Sequence, residues 1–291
     1  MPATSTFISA PDGLTLHARC YGRRGAPGLP VVCLPGLART ASDFEPLAEA
    51  LSADGRRVVA LDYRGRGQSG YDPDPANYSF QVELADLIAV LAALECQPAV
   101  FIGTSRGGIL AMLLAALRPT AIAGVVLNDI GPVIEPKGLM RIKGYVGKLP
   151  QPRNYEEGAE IMRRLFDAQF TKLTPADWLA NAHRTFKEVK GRLEPNYDVA
   201  LAKTLEGVDF EKPLAPLWAA FDTLTNVPVM AIRGANSDLL APATVEAMRA
   251  RRSSLETFEV PDQGHAPLLV EPDVIARIAD FVGRCGERVA A

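Results

Sequence analysis

Apolar residues along this chain fall into two alternating periods. Between Thr4 and Tyr21 the pattern has a repeat of two, broken at Pro11-Asp12-Gly13, and predicts a β-hairpin of TSTFIS and LTLHARCY. Beyond a Gly- and Pro-rich loop from Gly22 to Pro30, short continuous apolar runs recur: 30–34, 57–61, 100–102 and 124–127. These have the length and β-branched content of buried strands. Between them lie stretches with helical spacing. One runs from the capping candidates Ser42-Asp43-Phe44-Glu45 to Leu51, another from Ser79 to Leu94, and a third from Ile109 to Leu117. Alternating strands and helices predict an α/β fold with a mostly parallel sheet covered on both faces.

The alternation stops between Ile130 and Asn226. No run there reads as a buried strand. Ile161, Leu165, Phe166 and Phe170 share one helical face, and Trp178, Ala182, Phe186 and Val189 another. Strand runs resume at 227–232 and 256–260, and a helix pattern from Pro272 ends the chain. The expectation is a core formed by residues 1–132 and 223–291, with residues 133–222 inserted as a helical cap whose aromatic residues Tyr145, Phe166 or Trp178 approach a pocket.

Composition narrows the function. With 291 residues, 48% apolar, 22% charged and a net charge of -3, the chain is of ordinary globular make-up. It has no basic footprint for nucleic acid. No apolar run has membrane-spanning length, and MPATSTFISAPDG shows no signal pattern, so the cytoplasm is the expected compartment. Cys20, Cys33, Cys96 and Cys285 lack metal spacing; Cys33 and Cys96 read as small buried hydrophobes. No metal or cofactor is expected.

The chemistry centres on Val100-Phe101-Ile102-Gly103-Thr104-Ser105-Arg106-Gly107-Gly108, where a strand run meets a helix pattern at Gly-x-Ser-x-Gly. A serine on so sharp a turn needs nearly side-chain-free neighbours two residues away, so that strand and helix can pass. The turn aims its hydroxyl toward a helix N-terminus, which favours a developing anion. Ser105 is the candidate nucleophile. Asp62-Tyr63-Arg64-Gly65-Arg66-Gly67-Gln68-Ser69 reads as a shaped turn, with Asp62 and Arg64 fixing loops. Arg39 and Arg106 are candidates for surface salt bridges or, alternatively, for a fork to a substrate carboxylate.

LPGL at 34–37, DYRGRGQS at 62–69, GTSRGG at 103–108, VLNDIGP at 126–132, RGANSDLL at 233–240 and DQGHAPLLVEP at 262–272 resemble the α/β-hydrolase superfamily over nearly the whole chain. The resemblance implies an eight-stranded core, a Ser–His–acid triad, an oxyanion hole and a variable lid. Carried onto this sequence, it makes His265 the general base, leaving His17 and His183 structural or exposed. It makes the backbone N–H groups of Leu37 and Arg106 the oxyanion donors, although Pro35-Gly36 stands where many relatives have His-Gly. The acid divides. The usual place, three residues after Gly234, holds Ser237, with Asp238 one residue late; Asp129, at the end of the sixth strand, is favoured over Asp238. The implied activity is cofactor-free hydrolysis of a small carboxylic ester, lactone or amide through an acyl-enzyme, by a monomer or homodimer. Alternatives are a carbon–carbon hydrolase of diketone-type substrates and a ligand-binding receptor with little turnover. Haloalkane dehalogenation is disfavoured, because it needs a carboxylate where Ser105 stands.

Overall fold

The computed structural model describes residues 3–209 and 214–290. Along the chain the first half gives β1 (Thr4–Ser9), β2 (Thr15–Tyr21), β3 (Val31–Leu34), α1 (Glu45–Ala53), β4 (Val58–Asp62), α2 (Phe80–Ala93), β5 (Ala99–Thr104), α3 (Arg106–Leu117) and β6 (Ile122–Asn128). The second half gives α4 (Pro136–Tyr145), α5 (Tyr155–Phe166), α6 (Pro175–Thr185), β7 (Phe186–Val189), β8 (Arg192–Pro195), α7 (Trp218–Asp222), β9 (Val229–Gly234), α8 (Pro242–Arg251), β10 (Glu256–Val260) and α9 (Pro272–Ala290). Eight strands form one sheet in the order β1-β2-β4-β3-β5-β6-β9-β10. The β1–β2 and β2–β4 pairs are antiparallel and the rest parallel.

The central strands β3, β4, β5 and β6 have no polar alternation because helices cover both faces. One apolar cluster joins Leu34, Leu61, Phe101 and Leu127 to α2 and α3. The other joins Val31, Ile102, Val126 and Ile232 to α1 and α9. β5, bearing the Gly-x-Ser-x-Gly turn at its end, lies between β3 and β6. The loops after β3, β5 and β6 therefore open together at the carboxyl edge of the sheet, where ligands of such sheets bind. Cys20, Cys33 and Cys96 form no disulfide. Among the described residues no helix is long and apolar enough to cross a membrane.

The segment between β6 and β9 is mostly helical, and α5 and α6 close on their own cluster of Met162, Phe166, Phe170, Trp178, Ala182, Phe186 and Leu193. Residues 210–213 of the expected 133–222 insertion lie outside the described residues. One expectation fails here. The face Trp178–Ala182–Phe186–Val189 is not a single helix: α6 stops at Thr185, and Phe186 and Val189 belong to β7, paired with β8 in a hairpin separate from the main sheet. Its turn, Lys190-Gly191, has both φ angles positive (50° and 76°), the backbone of a type I′ hairpin. Lysine is a weak marker for that turn, and the apolar spacing of Phe186 and Val189 also fits a helix.

The 62–69 turn carries buried charge. Asp62 accepts from Ala41 N–H at 2.7 Å and Gln68 N–H at 3.1 Å, and lies 2.7 Å from His17 Nδ1. His17 is fully buried, its Nε2 3.0 Å from Ser5 Oγ, so it ties β1 to β2 and the β4 loop. Arg64 is bidentate to Asp86 (2.7 and 2.8 Å) and also bonds Asp72. Arg66 donates to Glu83 at 2.7 Å and to the Leu37 carbonyl at 2.8 Å, while Arg106 meets the other Glu83 oxygen at 2.6 Å. Burial alone pushes the Glu83 carboxyl up; the charges of Arg66 and Arg106 outweigh it and hold the group below the ordinary carboxylate value.

Removing Glu83 leaves two guanidinium groups facing each other in the interior. Glu83→Gln is expected to cost about 3–5 kcal/mol in urea denaturation at pH 7. Because the folded pKa is depressed, this contribution is complete above the ordinary glutamate range and fades as pH falls through the lower folded value. The difference between wild type and variant therefore shrinks in acid. A loss under about 1 kcal/mol at pH 7, the size of an exposed pair, contradicts a structural role for the Glu83–Arg66–Arg106 cluster.

Candidate active site

Ser105 sits at φ 51° and ψ −114°, a conformation that a residue with a side chain rarely adopts. The surroundings enforce it. A Cβ on Gly107 would collide with the Leu34 carbonyl oxygen, one on Gly103 with the backbone of Gly107 and Gly108, and one on Gly108 with Ile130. Ser105 N–H donates to the Asn128 carbonyl at 3.0 Å, pinning the turn to the end of β6. The Asn128 side chain spans from Thr104 Oγ1 (3.0 Å) to the Pro267 carbonyl (2.9 Å).

His265 comes from the loop after β10. Its Nε2 is 2.9 Å from Ser105 Oγ and its Nδ1 is 2.8 Å from Asp129 Oδ2. A carboxylate only accepts, so Nδ1 carries the proton and Nε2 is left to accept from the serine hydroxyl. Asp129 is fully buried; its Oδ1 accepts from Gly234 N–H at 2.8 Å, and Oδ2 also accepts from Ser237 Oγ at 2.6 Å. Asp238 faces elsewhere, bidentate to Arg141 of α4 at 2.7 and 2.8 Å. Burial pushes its carboxyl up, but Arg141 outweighs that and holds it below the usual value. The structure thus brings Ser105, His265 and Asp129 into one chain of hydrogen bonds and leaves Asp238 outside it.

Leu37 follows β3, and its carbonyl is held by Arg66. Arg106 is the first residue of α3, where an N–H has no partner within the helix. Neither N–H bonds another described residue. The two arginines considered as carboxylate forks are both engaged. Arg39 is bidentate to Asp43 (2.7 and 2.5 Å) and reaches Thr185 (2.7 Å) and Asn181 (3.3 Å) of α6. Arg106 pairs with Glu83 and lies over the Phe80 ring, its carbon 4.0 Å from the centroid.

A cavity of about 120 Å3 opens over Ser105 and His265. It is below the ~300–1,000 Å3 of drug-sized ligand sites and so suits a short substrate. Tyr145 and Phe166 line it; Trp178 does not, but packs edge-on against Phe170 with centroids 6.4 Å apart. The large indole is used to close the α5–α6 cluster. His183 is exposed and stacks on Tyr155 at 3.8 Å. Three contributors were given no role from sequence. Ser237 occupies the usual acid's place and donates to Asp129 instead. Gln169, in the loop after α5, accepts from His265 N–H at 2.9 Å, and Arg184 of α6 lines the cavity. The last two lie where no motif marks position.

An eight-stranded, mostly parallel sheet with a serine at the strand–helix turn and a histidine and aspartate from later strand ends defines a hydrolase architecture. The chain belongs to the Alpha/beta hydrolase family, whose profile matches residues 31–278. It is 35% identical to the 3-hydroxybutyrate-oligomer hydrolase of Cupriavidus necator over 94% of this chain and 96% of that one. It is 27% identical to the 2-(acetamidomethylene)succinate hydrolase of Mesorhizobium japonicum over 85% of each. Among solved structures, an alpha/beta hydrolase from Novosphingobium aromaticivorans superposes with a TM-score of 0.89 at 38% identity, covering 98% of this chain and 99% of that one.

The crowding around the turn yields a stability test. Gly107→Ala is expected to lose at least the ~1–3 kcal/mol typical of overpacking, because the obstructing atom is backbone and cannot swing aside. Thermal denaturation measures it, and a variant as stable as wild type contradicts the packing argument.

Proposed function

We propose that this hydrolase cleaves short carboxylic esters by nucleophilic catalysis, and that esters between hydroxy acids are its substrates. The observation that carries the reading is the unbroken relay from Ser105 through His265 to Asp129 beneath a small cavity. Ser105 Oγ attacks the ester carbonyl while His265 Nε2 takes its proton, and Asp129 holds the imidazole in the required tautomer. The N–H groups of Leu37 and Arg106 receive the oxyanion. Collapse of the tetrahedral intermediate breaks the bond to the alcohol, which takes the proton from His265. Water then attacks the acyl-enzyme by the same route and releases the acid. Residues 133–222 act as the cap that shapes the acyl and alcohol subsites over a core of 1–132 and 223–291. The likeness to an enzyme named for 3-hydroxybutyrate oligomers supports hydroxy-acid esters as the class.

A fluorophosphonate is expected to label Ser105 alone, with labelling and turnover of 4-nitrophenyl acetate both lost in Ser105→Ala. Labelling that survives the exchange overturns the nucleophile; labelling without turnover favours a receptor. The acid is tested separately. Asp129→Asn is expected to lower kcat by ~10³–10⁴, the loss when the tautomer is no longer held. Asp238→Asn is expected to cost less than about tenfold, ~1.4 kcal/mol. The reverse ranking moves the acid to Asp238.

A further inference from the structure

Among the described residues, Arg184 in the cavity wall is a charge without a hydrogen-bonded or ion-paired partner. Arg184 stands in the last turn of α6, where a guanidinium ordinarily points to water and the helix dipole favours it. It is instead partly buried in the lining of the cavity that holds Ser105 and His265, while its neighbour His183 is exposed. No hydrogen bond or ion pair joins Arg184 to another described residue. The nearest carboxylate in the lining, Asp43, has both oxygens taken by Arg39. Arg39 also occupies Asn181 and Thr185, the polar side chains of α6 on either side of Arg184. The remaining lining is largely apolar: Ile142, Val146, Leu149, Met162, Phe166 and Phe170 among others. Burial pushes the Arg184 pKa down and Asp43 opposes this from a distance, yet an arginine stays charged at any working pH. A desolvated cation without a partner is costly, and a substrate anion removes that cost.

We infer that Arg184 is the binding residue for a free carboxylate on the substrate, so that the preferred substrates are short esters ending in a carboxylate, such as linear hydroxy-acid dimers, rather than neutral esters. This rests on the serine-hydrolase reading above. In such a dimer the carboxylate belongs to the leaving hydroxy acid. Arg184 then holds the end of the substrate remote from the acyl group on Ser105, and the released hydroxy acid departs from the guanidinium. The contact is the same in ground and transition states, so its loss raises KM more than it lowers kcat.

The test compares the linear dimer of 3-hydroxybutyrate with the same dimer capped at its terminal carboxylate as a primary amide. For wild type, kcat/KM is expected to favour the acid. In Arg184→Ala that preference is expected to fall about 10- to 100-fold, the range of a charge-assisted hydrogen bond, mainly through KM, with Arg184→Lys intermediate. The ratio within each variant is insensitive to loss of folded protein, and Arg184→Gln, which keeps a polar side chain through Cδ without the charge, repeats it with less disturbance of α6. A preference unchanged within twofold in both the Ala and Gln variants overturns the inference. Binding is read independently of turnover from the rise in Tm with free 3-hydroxybutyrate, expected in wild type and lost in Arg184→Ala. If wild type cleaves neither dimer, the Tm arm decides: a rise that Arg184→Ala removes supports the inference, and its absence in wild type overturns it. Failure of fluorophosphonate to label Ser105 marks failure of the underlying hydrolase reading instead.

Discussion

The backbone of Ser105 is the constraint on which the rest depends. A serine at φ 51° costs ~1–3 kcal/mol, and the chain holds it there only because every neighbour is fixed. Gly103, Gly107 and Gly108 let β5, α3, β3 and the β6 loop approach more closely than any side chain permits. The bond from Ser105 N–H to Asn128 O then ties the turn to the strand that ends in Asp129. The same turn that lifts the hydroxyl out of the sheet thus sets its distance to the aspartate's strand. Moving β5 relative to β6 would disturb the serine and the His265–Asp129 contact together.

The second brace is electrostatic. Glu83 accepts from Arg66 and Arg106, Arg66 in turn holds the Leu37 carbonyl, and so one buried carboxylate links the loop after β3 to the start of α3. Apolar packing could stabilise these loops as well, but it has no direction. Hydrogen-bonded charges fix orientation, which is what the two N–H groups proposed to receive the oxyanion require. The repeated arginines and glycines of 62–69 therefore serve the site through its scaffold, with Gly65 at φ 73° and Gly67 at φ 57° supplying the bends and Asp62 and Arg64 anchoring their ends.

What sequence could reveal follows from the range of each interaction. Strands buried on both faces advertise themselves as apolar runs, and all eight of the main sheet stand where such runs or the first hairpin predict them. The elbow was legible because its steric demand falls on residues two positions away. Arg39 and Arg106 were ambiguous for the opposite reason: each partner, Asp43 four residues on or Glu83 twenty-three back, was one of many carboxylates, and only the fold chooses. The β7–β8 hairpin was hidden by spacing that serves a helix equally well. Arg184 and Gln169 were invisible because their significance lies in what the inserted segment meets across the cavity, and no local pattern encodes that meeting.

The position of Asp129 shows how one strand end can place a carboxylate beside His265 in the stead of its neighbour. β6 and β9 are parallel neighbours, with Asn128 opposite Ile232, so their carboxyl ends deliver side chains to one place. Asp129 N–H bonds the Ile232 carbonyl at 2.8 Å, and Asp129 itself bends at φ 53° to turn its carboxylate toward His265. The β9 loop, relieved of supplying the carboxylate, supplies donors: Gly234 N–H to one oxygen and the Ser237 hydroxyl to the other. A buried carboxylate is costly unless such donors satisfy its oxygens. An aspartate at position 237 would put a second negative charge where Asp129 now finds a hydroxyl, so the two solutions exclude each other. That exclusion accounts for a serine at the usual acid position and for Asp238, one residue on, being free to bind Arg141 and hold α4 to the core.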